Sequence, residues 1–126
     1  MRALLILGVC VGTLTLAGCN HSAETMVGAD PQLAKETLVT ALDAWKSGDA
    51  ASLAKRAPSI RFTDDDYLSG AKLIDYEFEE PDAPILPFRN VRMELVLQDH
   101  QGQPKHKNVT YQVGVEPSLT VLRSDN

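Results

Sequence analysis

Hydrophobic residues are spaced in three different ways along this chain, and each spacing predicts a different element. An unbroken apolar run from Ala3 to Leu14 comes first, behind the single basic residue Arg2. From residue 31 the spacing turns helical: Ala34, Leu38, Ala41, Leu42 and Trp45 recur at three- and four-residue steps and share one face. Asp30 can cap this helix, Pro31 suits its first position and Gly48 can close it. Asp49 is placed to cap a second, shorter helix through Ala57, which Pro58 stops. Ser59 to Phe62 reads as extended. Thr63 with Asp66 three residues on resembles a capping box and Gly70 a stop, which predicts one or two helical turns over Asp64 to Ser69.

From Lys72 the period becomes that of a strand. Ile74, Tyr76 and Phe78 alternate with Asp75, Glu77 and Glu79, the pattern of a half-buried strand. Pro81, Pro84 and Pro87 forbid a regular ladder and make the next segment a loop. Val91, Met93, Leu95 and Leu97 then alternate with Arg92, Glu94, Val96 and Gln98. Val109, Tyr111, Val113 and Val115 alternate with Asn108, Thr110, Gln112 and Gly114. Leu119, Val121 and Arg123 begin a last strand after a turn at Pro117-Ser118. Four strands joined by short turns near Gly102 and Pro117 describe an antiparallel meander with one apolar face.

An amphipathic helix ahead of a one-faced sheet predicts an α+β domain, with N-terminal helices packed on one face of a curved antiparallel sheet. This order of elements resembles the nuclear transport factor 2-like, or cystatin-like, superfamily. The segment Ala41-Leu42-Asp43-Ala44-Trp45-Lys46-Ser47-Gly48-Asp49 is similar to the opening of many members, whose first helix carries an aromatic residue and ends in Gly-Asp. The resemblance spans Asp30 to Arg123 and implies a cystatin-like roll. It also implies that the chain belongs among isomerases, hydratases, cyclases of the SnoaL type, or members that only bind or assemble.

The leader changes the picture of where the domain works. A basic start, about a dozen apolar residues and then small residues form a secretory signal, too short to span a bilayer as a mature helix. Residues 1–18 are therefore expected as a lone apolar helix outside the domain core. The segment Leu16-Ala17-Gly18-Cys19 resembles the lipobox of bacterial lipoproteins, which implies cleavage before Cys19 and acylation of its thiol. Two or three acyl chains suffice for stable anchoring. Residues 19–29 then form a tether and residues 30–126 a single domain. Asn20, in place of the aspartate that retains many lipoproteins on the inner membrane, points to the outer membrane facing the periplasm.

Composition agrees with a membrane-tethered domain of the cell envelope. Cys10 leaves with the leader, so the mature chain keeps one cysteine and forms no internal disulfide. Loss of residues 1–18 leaves 108 of the 126 residues, with 11 basic and 17 acidic side chains and a net charge of −6. This balance, without a Lys/Arg cluster in the sequence, argues against nucleic acid and anionic headgroups as partners. Membrane attachment falls to the lipid on Cys19. The Asn108-Val109-Thr110 sequon has no weight in a bacterium.

Candidate chemistry is sparse. The enzymes of the resembling superfamily need a carboxylate, often with a histidine, inside the cone between sheet and helix. The inward positions supply only Tyr76 and Tyr111 as polar groups, and neither is a base at neutral pH without a partner. Asp64, Asp65 and Asp66 lack the spacing and glycine of a calcium loop and are read as acids favoured by a helix dipole. His100 and His106 would face each other across a Gly102-Gln103-Pro104 turn, but Asp99 alone stands near as a third ligand, so they are read as solvated hairpin residues. No cofactor motif is present, and His21 falls in the tether.

The reading is a non-catalytic, lipid-anchored domain that binds or assembles in the envelope. Its alternative is a small-ligand binder or degenerate SnoaL-like enzyme with Trp45, Tyr76 and Tyr111 at the mouth or wall of the cone. Val96, Thr110, Thr120 and Leu122 project from the outer sheet face and form the candidate interface for a homodimer or another envelope protein. Cys19→Ser is expected to abolish incorporation of radiolabelled fatty acid and leave unprocessed precursor. Label retained at the wild-type level would remove the lipobox reading.

Overall fold

Asp30 begins the described part of the chain, which covers residues 30–125 in a computed structural model; the leader, Cys19 and the tether lie outside the described residues. The Asp30 carboxylate accepts the Leu33 amide at 3.0 Å and Pro31 takes the first position, so α1 (Pro31–Lys46) starts where the pattern predicts. At its end Gly48 adopts φ +78°, its N–H donates to the Trp45 carbonyl, and the Asp49 N–H reaches the Ala44 carbonyl at 2.7 Å. This is a Schellman closure. The second predicted helix is corrected: the Asp49 side chain caps nothing and its carbonyl accepts the Ser52 amide three residues on, so Ala50–Ala54 forms a 3-10 turn instead of a helix to Ala57.

The short helix α2 (Asp65–Leu68) also starts one residue later than the capping pattern implies. Asp64, not Thr63, is the cap, and its carboxylate accepts the Tyr67 amide at 2.9 Å. One long helix thus serves the domain, with a 3-10 turn and a single α turn beside it.

Five strands complete the fold: β1 (Ile60–Thr63), β2 (Lys72–Phe78), β3 (Val91–Gln98), β4 (Pro104–Gly114) and β5 (Leu119–Arg123), in the spatial order β1-β5-β4-β3-β2. β2 to β5 form the expected antiparallel meander. β1 does not join it as a hairpin. It lies parallel to β5, Ile60 beside Leu119 and Thr63 beside Leu122. The sheet is therefore mixed, not wholly antiparallel, and the fold is α+β, a curled five-stranded half-barrel. The physical reason is that α2 intervenes between β1 and β2 and carries the chain to the opposite edge, which leaves β5 as the neighbour for β1.

A bulge corrects the register of β2. Leu73 pairs with Leu97 and Asp75 with Val96, so Ile74 is an extra residue and projects outward, 42% exposed. Leu73, Tyr76 and Phe78, not Ile74, face the core. The apolar face of α1 lies on the inner side of the sheet, where Leu38, Ala41 and Leu42 join Leu95, Tyr111, Val113 and Val121, all fully buried. Gly114 on the other side of β4 has a steric reason. A side chain there would meet Thr120 Oγ1 at 2.7 Å and the Phe88 ring at 3.0 Å.

Trp45 closes the helix end of this core. Its ring is 5% exposed, its indole N–H donates to the Ala71 carbonyl at 3.0 Å, and Phe62 and Tyr67 each stand 5.9 Å away, centroid to centroid. Trp45→Ala removes the ring and strands the Ala71 carbonyl. It is expected to destabilise the domain by about 3–5 kcal/mol, read from the urea midpoint at unchanged slope. A loss below about 1 kcal/mol would mean the ring is replaceable by water.

Candidate functional site

The alternation that buries Leu119 and Val121 on β5 also carries Arg123 inward, where its side chain is only 5% exposed. A lone guanidinium in that position would be severely penalised by lost hydration. Three carboxylates answer it. Nη1 donates to Asp64 Oδ2 at 2.9 Å and to Asp66 Oδ2 at 3.0 Å, and Nε donates to Asp125. Asp64 is itself fully buried. Its Oδ1 caps α2, while Oδ2 also accepts the Tyr111 hydroxyl at 2.5 Å. Lys107 closes the rim of the cluster by donating to Asp66 at 2.9 Å.

Every charged member of this group is bonded to a group of opposite charge. Burial pushes the Asp66 carboxyl up, but the bonds and charges of Lys107 and Arg123 more than offset it and hold the group below the usual carboxylate range. Asp125 behaves alike, raised by burial and lowered further by Arg123. Burial and the neighbouring Asp64 push the Tyr111 phenol well above its ordinary value. On Arg123 burial favours the neutral form, yet the bonds to Asp125 and Asp64 win and strengthen its hold on the proton. Among the described residues no buried side-chain polar atom lacks a partner. The cluster's acceptors and donors are directed at one another, so its immediate capability is mechanical: it fastens α2 to β4 and β5.

The three residues expected around one pocket are not brought together. Trp45 packs on Phe62 and Tyr67, Tyr111 binds Asp64, and the Tyr76 hydroxyl donates to Asp43 at 2.6 Å on α1. Burial first, then that bond to Asp43, raises the Tyr76 phenol as well. Across the sheet Tyr76 shares a row with Leu95 and Lys107, whereas Tyr111 shares one with Val91 and Arg123. Four residues of β4 separate the rows, about 13 Å. A cleft of about 240 Å³ lies beside Trp45, lined also by Tyr67, Ala50 and Ala71, and it includes neither tyrosine of the expected set. A larger cleft, about 370 Å³, opens under the proline-rich loop between Phe78, Ile85, Asn90, Arg92 and Thr110. Arg92 there is turned to Glu79 and Glu80.

The outer face is likewise divided. Leu122 pairs with Gln112 and Thr120 with Gly114, but Val96 sits opposite His106, six residues further back along β4 and about 20 Å away. Thr110 lies between these groups and lines the larger cleft. His106 Nδ1 donates to the Glu94 carboxylate, 2.7 Å away, while His100 lies in a turn whose Asp99 carboxylate accepts the Gln101 and Gln103 amides. The turn is thus Asp99 to Gln103, not Gly102 to Pro104: it starts three residues earlier than the sequence pattern implies, because Asp99 caps it and Gly102 adopts φ +76°.

Arg123 and Asp64 are the residues that sequence reasoning missed. The signal was present: an arginine third in a row with Leu119 and Val121 demands a buried acid, and the 64–66 triplet supplies acids beside a predicted strand end.

Breaking the cluster from one side leaves a buried charge unanswered. Arg123→Met is expected to cost about 3–5 kcal/mol, and Tyr111→Phe about 1–3 kcal/mol, with the double variant less than additive. Because Asp66 and Asp125 are depressed in the folded state, their contribution is complete above the ordinary carboxylate value of 3.8 and is lost as pH falls through the folded values. Tyr76 and Tyr111 are raised, so theirs is complete below 10.0 and is lost above it. Urea midpoints measured against pH should therefore form a plateau with an acid edge below about pH 4 and an alkaline edge above about pH 10. A wild-type-like acid edge in Arg123→Met would show that the carboxylates do not owe their state to Arg123.

No family model, curated protein or solved structure matches this chain, so the functional reading rests on its own residues.

Proposed function

We propose that this chain is a lipid-anchored, non-catalytic domain that binds or assembles in the bacterial cell envelope.

 The single observation that supports this is the closure of the interior: Arg123, Asp64, Asp66, Asp125, Tyr111 and Lys107 satisfy one another and leave no inward-facing acid or base directed at open space. Tyr76, the other inward polar group, is engaged by Asp43. A catalytic cone needs the opposite arrangement, with a group held at a useful pKa and aimed at substrate. The long helix on the inner face of a curled sheet agrees with a cystatin-like roll, in which such closed members bind through surfaces. The anchor at Cys19 belongs to the same reading, and its location is the outer membrane facing the periplasm.

The alternative, a small-ligand binder, draws on the cleft under the proline-rich loop, whose Asn90, Arg92 and Thr110 accompany apolar walls. One experiment separates the two. Photo-crosslinkers substituted at Gln112 and Leu122 on the outer face are expected to give adducts of discrete mass in intact envelopes, to a second copy or to another protein. A small molecule bound in equal amount to the purified chain in native mass spectrometry, with no protein adduct, would favour the ligand reading instead.

A further inference from the structure

The fold collects at one end of the sheet what the sequence scatters. β4 ends at the edge where β1 and β5 begin, and the loop from β2 to β3 brings Phe88 to the same place. In one row across the outer face stand Arg61 on β1, Thr120 on β5 and Gly114 on β4, with the Phe88 ring laid over the glycine. Phe88 is 55% exposed and holds a left-handed φ of +53°, a conformation unfavourable for a residue with a side chain. Its N–H donates to the Val113 carbonyl, which fixes the loop. Leu86, two residues earlier and 44% exposed, adds a second apolar side chain. Lys55 and Arg56 lie on the segment leading into β1, and Arg89 follows Phe88. Among the described residues none of Lys55, Arg56, Arg61 and Arg89 forms an ion pair. The acids nearby are Asp82 and Glu116, with Glu79 and Glu80 turned to Arg92.

The described chain begins at this same end. Pro31, Gln32 and Lys35 line a cleft with Pro81, Pro84 and Ile85, and Lys35 donates to the Pro81 carbonyl at 2.9 Å. Cys19 lies eleven positions before Asp30, a reach of at most about 40 Å. We infer that this end of the sheet is a bilayer-docking face, on which Leu86 and Phe88 enter the lipid interface while Lys55, Arg56, Arg61 and Arg89 meet headgroup phosphates. The inference rests on the anchor at Cys19. It adds an orientation: an acidic domain held with its local cluster of cations toward the membrane.

The test uses the full mature chain in vesicles of phosphatidylcholine with phosphatidylglycerol. Thiols introduced singly as Leu86→Cys, Phe88→Cys and Gln101→Cys carry a polarity-sensitive dye, and Gln101 marks the hairpin at the other end of the sheet. The expected result is a blue-shifted emission, quenched by nitroxide lipids, at 86 and 88 and not at 101. Arg61→Ala in the Leu86→Cys chain should lower the docked-to-undocked ratio about fivefold. Dyes at 86 and 88 that stay in water on an acylated chain overturn the face and leave the anchor standing. A mass spectrum of the Cys19 peptide without acyl groups overturns the anchor and the face with it. A blue shift that depends on protein concentration and appears without vesicles assigns the face to a second copy, and also overturns the inference.

Discussion

A guanidinium placed inside a small core sets the terms for much of this domain. Arg123 cannot be solvated where β5 puts it, so carboxylates must come to it. Asp64 and Asp66 arrive on the turn that follows β1, and that turn is held in place only if α2 is capped and closed as it is. The same Asp64 carboxylate is bonded by Tyr111 from β4. Three elements distant in sequence are thereby fixed to one another, and the parallel pairing of β1 with β5 follows as the arrangement that brings Asp64 to the end of β5. Replacing such a cluster by apolar residues of equal volume need not weaken a protein, whereas removing one partner does. Its value lies in specifying one arrangement of α2 on the sheet.

Around that fixed point the sheet curls by local devices. The extra residue Ile74 in β2 bends the edge strand toward α1, where Lys46 and Asp43 meet Asp75 and Tyr76. Gly114 lets the Phe88 ring approach the outer face closely, so the loop covers part of a surface that the strand pattern alone leaves open. The outer face is thus divided into a Val96 region beside His106 and a Leu122 region beside Gln112. An interface using all four residues first singled out there would have to span both.

Much of this was legible in the residues. The helix face of Ala34, Leu38, Ala41, Leu42 and Trp45, its Asp30 cap and Gly48 closure, and the inward sets of β3 and β4 all follow from period and capping chemistry. What failed were inferences that depend on a neighbour in space. Ile74 fits the alternation of β2, but a bulge is a matter of pairing with β3, which the local pattern does not contain. Asp49 is a good cap in isolation, yet its side chain caps nothing and its carbonyl accepts the Ser52 amide three residues on. Asp64 to Asp66 satisfied a helix-dipole reading so well that their second role, as partners of a cation on the last strand, needed the long-range contact to be seen. Parallel pairing of β1 left no local trace at all.

Net charge, too, describes the whole chain and not any one surface. An excess of acids over the whole chain, with no run of Lys or Arg, reads as a surface indifferent to anionic headgroups. Folding redistributes it. Some acids are drawn inward around Arg123 and Lys107, or tied to Arg92 and Lys46 on the surface, while seven lysines and arginines remain without ion pairs among the described residues, and Lys55, Arg56, Arg61 and Arg89 are four of them. Screening makes an exposed charge felt over roughly 10 Å and not over the whole molecule, so a membrane a few ångströms from the β1 edge responds to Arg61 and its neighbours rather than to the average. On the proposed docking, the position of Pro31 and Lys35 beside the proline-rich loop matters as much as any side chain, because a short tether would select which local field a bilayer meets.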